Sequence, residues 1–187
     1  FDDLSTFEKI AAKGYSFKVM PAFRADKIMN IAAEKYNEFV SLLEAETHKI
    51  ATLDELENAL EERLVAFKKV GCRASDIALE SVYPVAEKEE AEKALKKRRN
   101  GENVTEQEEK AFKGYLTYFL MKLYSEHNIA TELHVGAMRN NNTEMLNKLG
   151  LDTGYDSISE EDGIKNMSLL FDKLNSEKSL PKSIIFN

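Results

Sequence analysis

Three short stretches of this 187-residue chain gather side chains able to do chemistry. The first is Pro21-Ala-Phe-Arg-Ala-Asp-Lys27. Its Arg24 has the planar fork that clamps a carboxylate or phosphate through two hydrogen bonds. Equally, Arg24 can be a surface arginine paired with Asp26. The second is Cys72-Arg-Ala-Ser-Asp76, in which Asp76 can serve as an acid, a base or a ligand. The bland role of such an aspartate is a helix N-cap or a turn. The third and richest is Thr131-Glu-Leu-His-Val-Gly-Ala-Met-Arg-Asn-Asn-Asn142. Glu132 and His134 are two apart, so on a strand they share a face. A histidine at a strand mouth can move a proton or bind metal, and it can also be a core histidine satisfied by a neighbouring carboxylate. Arg139 and the run Asn140, Asn141 and Asn142 offer donors and acceptors to a polyhydroxylated ligand. Asparagines also favour tight turns and accept positive φ, so a pure loop role stays open.

Elsewhere the chemistry is thin. His48 and His127 have no partner pattern, and the chain has no HExxH, His-x-His pair, phosphate-binding loop, GxGxxG or GxSxG. Spacing alone assembles no complete metal site. Cys72 is the only cysteine, which excludes an internal disulfide and any multi-cysteine zinc site. With no histidine near it in sequence, it reads as a buried, inert thiol in a reducing compartment.

Helices and strands must position these residues. Leu4, Phe7, Ile10 and Ala11 predict a helix over 2–13, closed by Gly14. The alternation of Ser16 to Pro21 predicts a strand, 22–31 a polar loop, and 33–50 a helix. Thr52-Leu-Asp-Glu55 is a capping box opening a helix with Leu53, Leu56, Leu60, Leu64 and Phe67 on one stripe and its end near Gly71. A short strand is predicted at 71–76 and a charged helix at 85–99, broken by Asn100-Gly101. A second capping box, Thr105-Glu-Gln-Glu108, opens an apolar helix running to about Glu126. A strand over 129–135, loops around 140–142 and 152–157, a helix over 160–175 and a strand over 183–186 complete the chain. Strands alternating with helices give an α/β architecture with parallel pairing, and the helical insertion before the third strand is longer than a simple crossover needs.

Composition narrows the function classes. The formal charge is 26 − 33 = −7, with 43% hydrophobic and 32% charged residues, a globular balance. The acidic balance argues against nucleic acid as a partner, and the basic Lys96-Lys-Arg-Arg99 run complements a helix C-terminus. No apolar run approaches the roughly 20 residues that span a bilayer. The start at Phe1 and the final strand read as the ends of a piece cut from a longer protein, with a terminal edge strand as the plainer alternative.

Glu132-Leu-His-Val-Gly-Ala-Met-Arg-Asn-Asn-Asn-Thr143, followed by Leu149-Gly-Leu-Asp-Thr-Gly-Tyr-Asp-Ser-Ile158, resembles the hallmark stretch of uronate isomerases (glucuronate isomerase). Pro21 to Lys27, Gly71 to Asp76 and Leu180-Pro-Lys-Ser-Ile-Ile185 agree in order and spacing, so the resemblance spans essentially the whole chain. It implies a TIM-like (β/α)8 barrel of the metal-dependent hydrolase superfamily, with residues 1–187 as a single domain forming the central portion, about half, of that barrel. It implies interconversion of D-glucuronate with D-fructuronate and of D-galacturonate with D-tagaturonate through an enediol, by a cytoplasmic enzyme. It further implies a divalent metal, zinc among the candidates, held by a His-x-His pair and an Asp that lie outside this chain, so that no metal ligand is expected within it. Residue by residue, the resemblance makes Arg24 the partner of the substrate carboxylate. It makes Asp76 and His134 the acid/base candidates, and puts Arg139 with Asn140 to Asn142 along the pocket. The sequence departs from the family pattern at Ala25 (usually Pro), Ile77 (usually His) and Glu132 (usually Gln). A non-catalytic sugar-acid-binding or structural module derived from the barrel is the alternative. Open strand edges predict a homo-oligomer for the isolated chain.

Overall fold

The computed structural model describes residues 3–159 and 163–186. The helices are α1 (Ser5–Ala12), α2 (Asp26–Met29), α3 (Tyr36–Glu46), α4 (Leu53–Lys69), α5 (Lys88–Arg99), α6 (Glu106–Glu126), α7 (Thr143–Leu149) and α8 (Gly163–Ser176). The strands are β1 (Ala74–Leu79), β2 (Ala130–Val135), β3 (Ala137–Met138), β4 (Ser157–Ile158) and β5 (Ser183–Phe186). β1, β2 and β5 form a parallel sheet in that order, while β3 and β4 make a separate antiparallel pair.

Helix starts follow the local chemistry. At α4, Thr52 Oγ1 accepts from the Glu55 amide and Glu55 Oε2 accepts from the Thr52 amide at 2.8 Å. The Thr105–Glu108 pair repeats this reciprocal cap at α6. Each cap satisfies amide donors that the first helical turn leaves over. The buried stripe of α4 is Leu53, Leu56, Ala59, Leu60, Arg63, Leu64 and Phe67, the face that the sequence spacing defines. Gly114 lets α6 lie against the chain near Pro84: a Cβ there would meet the Pro84 carbonyl oxygen at 2.0 Å.

The sheet has two unlike faces. Ser75, Ile77, Leu79, Thr131, Leu133 and Val135 are buried. Beside them Phe23 packs edge-on to Phe67 of α4 and Tyr124 of α6, with ring centroids 5.3 and 6.2 Å away. Ser75 Oγ donates to Thr131 Oγ1 across this buried layer at 3.0 Å. Asp76, Ala78, Glu132, His134, Ile184 and Phe186 occupy the alternate positions and face away from the helices, half-buried or exposed.

Several expectations shift. Ser16 to Met20 form no strand and lie exposed; main-chain pairing begins at Phe23, which bridges Ser75 in the parallel sense. Alternation predicts a strand only where one side is buried, and here burial starts at Pro21 and Phe23. The strand expected at 71–76 runs instead over Ala74–Leu79. Gly71 at φ +102° and the Cys72 amide bonding Phe67 O belong to the exit of α4, so pairing starts three residues later. The stretch 22–31 read as a loop contains the short helix α2, and α7 lies between the two loops read around 140–142 and 152–157, where no element was expected. The first and last predicted helices agree with α1 and α8, except that residues 2 and 160–162 lie outside the described residues.

Candidate active site

The register of β1 and β2 brings the sequence candidates together. Asp76 lies opposite Glu132, and Ala78 opposite His134. Arg24 follows the Phe23 bridge, so its side chain reaches the same region from the flank of β1. Arg24 Nη1 stands 3.1 Å from Asp76 Oδ2, and His134 Nε2 stands 3.2 Å from Asp76 Oδ1. One carboxylate thus bridges a guanidinium and an imidazole. Asp76 sits in the middle of a strand, so the N-cap or turn role does not apply.

Asp26 completes the set. Its Oδ2 accepts from Arg24 Nε at 3.1 Å, and its Oδ1 accepts from the Ala78 amide at 2.8 Å. The pairing of Arg24 with Asp26 is therefore present, and it is what ties the loop to the outer edge of β1. The Asp26 hydrogen bond and the charges of Asp26 and Asp76 push the Arg24 pKa up and hold the group protonated. With its side chain 55% exposed, Arg24 still presents N–H groups to solvent.

His134 is fixed from two sides. Asp76 holds Nε2, while the Phe186 ring lies flat against the imidazole, 4.6 Å between centroids and 9° between planes. The histidine is 42% exposed at the side chain, so it is carboxylate-paired without being a core group. An imidazole held by a carboxylate and open at the other side can take and return a proton, the carboxylate steadying the imidazolium.

Asp76, Glu132 and His134 each offer one ligand atom, all within 4.8 Å of one another. Spacing within one stretch of sequence could not assemble this group, because Asp76 comes from a different strand. Two carboxylates and an imidazole suit zinc or another divalent ion of moderate hardness. Asp76 Oδ1 is buried, and its contact with His134 Nε2 at 3.2 Å leaves it a second lone pair for such an ion, whereas Oδ2 is engaged by Arg24.

The asparagine run folds a flap over the end of β2. Gly136 at φ +87° turns the chain out of the sheet, in a region that favours glycine. Arg139 Nη1 donates to Asp156 Oδ2 at 2.7 Å, and the Asn140 amide donates to Asp156 Oδ1 at 2.9 Å. Asn140, itself at φ +55°, accepts from the Asp152 amide through Oδ1 at 3.0 Å. Asn141 Nδ2 donates to Ser157 Oγ, and Asn142 Oδ1 caps α7 by accepting from Met145 at 3.1 Å. Each asparagine therefore has a role within the loop. A cavity of about 170 Å³ lies between flap and sheet, lined among others by His134, Gly136, Arg139, Ser157 and Phe186.

Cys72 is fully buried, and burial pushes its thiol pKa up, so it is inert as the sequence implies. Asp26, Asp156 and Phe186 were not sequence candidates. Asp26 carried a signal in its i, i+2 spacing from Arg24; Asp156 and Phe186 reach the site only through long-range pairing.

Comparison with known proteins adds to this geometry. A family model described as glucuronate isomerase matches residues 1–187. A uronate isomerase from Caldanaerobacter subterraneus subsp. tengcongensis is 45% identical over 176 residues, covering 93% of this chain and 38% of the relative. One from Bacillus pumilus is 37% identical over 188 residues, covering 100% of this chain and 39% of the relative. The crystal structure of uronate isomerase from Thermotoga maritima superposes with a TM-score of 0.88 at 26% identity, over 98% of this chain and 41% of that one. Glucuronate isomerase from Caulobacter crescentus gives a TM-score of 0.86 at 21% identity, over 100% of this chain and 39% of that one, a likeness of fold. The architecture is part of a TIM-like barrel, and the chain spans about two fifths of the length of these relatives.

Proposed function

Because this chain belongs to the glucuronate isomerase family, we propose that it is a segment of a uronate isomerase, with residues 1–187 forming one unit in the central portion of the barrel. At full length, as a cytoplasmic enzyme, it interconverts D-glucuronate with D-fructuronate and D-galacturonate with D-tagaturonate. The proton passes between C2 and C1 through an enediol. The observation that carries this reading is the row Arg24–Asp76–His134 on the sheet face that the helices leave open. In a barrel that face points inward, and the ligand sits near the carboxyl ends of the strands.

Aldose–ketose interconversion needs a group that lifts a proton from one carbon and returns it to the next, together with positive charge near the developing oxyanion. His134 supplies the first. Asp76 holds Nε2 and stabilises the imidazolium, and Phe186 fixes the plane of the ring. Arg24 binds the substrate carboxylate through its exposed N–H groups. Arg139 and Asn140 to Asn142 form the rim of the pocket and present amide and guanidinium groups to the sugar hydroxyls. The residues present fit a divalent cation through Asp76 Oδ1 and Glu132, toward ligands contributed from beyond this chain, with His134 left free to carry the proton. When bound, such an ion polarises the carbonyl and lowers the cost of the enediolate charge.

Replacing Asp76 tests the assignment. Asp76→Asn keeps the shape and removes the charge that Arg24 and His134 share. In the natural full-length protein, kcat for D-glucuronate is expected to fall by about 10²–10⁴-fold, the range for loss of acid–base assistance. The unfolding midpoint, measured alongside, separates this loss from misfolding. A folded variant with unchanged kcat would remove Asp76 from the mechanism.

A further inference from the structure

We propose that Asp156 is a positioning residue that aims the Arg139 guanidinium into the cavity beside His134, where it meets an oxygen of a bound sugar acid. The inference rests on the isomerase reading and extends it to a residue far from the sheet. Asp156 uses both carboxylate oxygens, each for a different element of the flap. Oδ2 takes Arg139 Nη1 at 2.7 Å, and Oδ1 takes the Asn140 amide at 2.9 Å. The second bond locks the backbone immediately after Arg139, so the carboxylate sets both where the arginine starts and where its tip ends.

The neighbouring bonds make that carboxylate a fixed point. Ser157, the next residue, pairs with Met138 in the β3–β4 ladder, and Ala137 pairs with Ile158. The Asn141 amide donates to Tyr155 O at 3.2 Å, and the Ser159 amide donates to Gly136 O at 2.7 Å. The Asn140 amide and the Arg139 guanidinium together hold the Asp156 carboxyl below the usual carboxylate range, so it stays ionised at neutral pH. A guanidinium has five N–H donors, and the Asp156 bond uses one of them. Arg139 is half-exposed and lines the cavity that His134 and Phe186 also line. Arg24 contacts the Asp76 carboxylate that holds His134, and Arg139 lines the cavity that His134 lines, so both guanidinium groups belong to the surroundings of the imidazole. A chain with a carboxylate at one end and hydroxyls along its length can span that pair of cations.

The test uses the natural full-length protein and two readouts. The first is the Kd of D-gluconate, a sugar acid that lacks the carbonyl to be isomerised, by titration calorimetry. The second is KM and kcat for D-glucuronate. D156N and R139Q are each expected to weaken D-gluconate by about tenfold or more, the scale of one charge-assisted hydrogen bond, and to raise KM more than they lower kcat. The double variant should be no weaker than R139Q alone, because Asp156 acts through Arg139. If D156N proves too unstable, D156E takes its place: the longer carboxylate displaces the guanidinium, and the same weakening is expected. Unchanged D-gluconate affinity in the Asp156 variant overturns the proposal. So does a D156N effect undiminished in the R139Q background, which would make Asp156 a prop for Asn140 alone. Absence of D-gluconate binding by the unsubstituted protein overturns it as well. An unsubstituted protein that binds D-gluconate yet forms no ketose would instead sink the isomerase reading and leave the positioning role standing.

Discussion

Asp76 meets a guanidinium and an imidazole from two different parts of the chain, and Arg24 meets two carboxylates in turn. The residue types were legible in the sequence: Arg24, Asp76 and His134 are the side chains that chemistry would pick, and the fold brings those three into contact. Their partners were less legible: the pairing of Arg24 with Asp26 was open to spacing, but Phe186 joins by geometry that spacing does not encode. The asparagines show the reverse case. Their type announced both a ligand role and a turn role, and the structure supplies the bonds of the turn role at Asn140, Asn141 and Asn142. Arginine matters at position 24 for its fork. Lysine keeps the charge but cannot hold Asp26, Asp76 and a substrate carboxylate at fixed angles. Arg24→Lys in the full-length protein is expected to raise KM for D-glucuronate by about 10- to 100-fold, the worth of one hydrogen bond to a charged group, with a smaller change in kcat. Steady-state kinetics with an unchanged KM would take Arg24 out of substrate binding.

At the scale of elements, the long helices were legible because caps and apolar stripes are local signals. Both capping boxes form, and the stripe of α4 is the buried face. The first strand was misplaced because period-two alternation says nothing about which side will be covered. The ties between helices were not legible either. Glu44 of α3 is one: Oε1 accepts from the Ile50 amide at 2.9 Å and lies 2.8 Å from Arg99 Nη2 of α5, while Oε2 lies 3.3 Å from Lys49 Nζ. Burial alone would raise its pKa, but the Ile50 amide, Arg99 and Lys49 outweigh burial and bring it below the ordinary glutamate value of 4.5. A carboxyl with a depressed folded-state pKa stabilises the fold above its unfolded pKa. That contribution is lost as pH falls through the ordinary glutamate range toward the folded-state value. Glu44→Gln is therefore expected to cost about 1.5–3 kcal/mol near neutral pH and much less in acid. Urea unfolding at a series of pH values reads this directly. An equal loss at every pH would show that the charge of Glu44 contributes nothing.

At the scale of the whole molecule, the sheet shows helices on one face and the Asp76–Glu132–His134 side on the other. The α/β class was legible from the alternation of strands and helices. The parallel order β1–β2–β5 was not, since sequence order alone does not distinguish a closing barrel from a doubly wound sheet. Likeness over about two fifths of each solved relative settles it as part of a barrel. Ile184 and Phe186 stay about half exposed on β5, and Ile158 is more exposed still on the flap. These apolar groups border the open face, where the remaining strands of a barrel would lie. Among the described residues no helix is long and apolar enough to cross a membrane.

The central claim is that the complete protein moves a proton within a uronate through an enediol. The most direct measurement is turnover of D-glucuronate by the natural full-length protein in deuterium oxide with a divalent metal, followed by proton NMR. The account predicts that the ketose forms with deuterium at C1 and that recovered aldose carries deuterium at C2, because the enediol exchanges with solvent. No ketose from a folded, metal-supplied protein would contradict the isomerase reading, and ketose and aldose that stay free of deuterium at C1 and C2 through repeated reversible turnover would contradict an enediol whose proton is carried by the half-exposed His134.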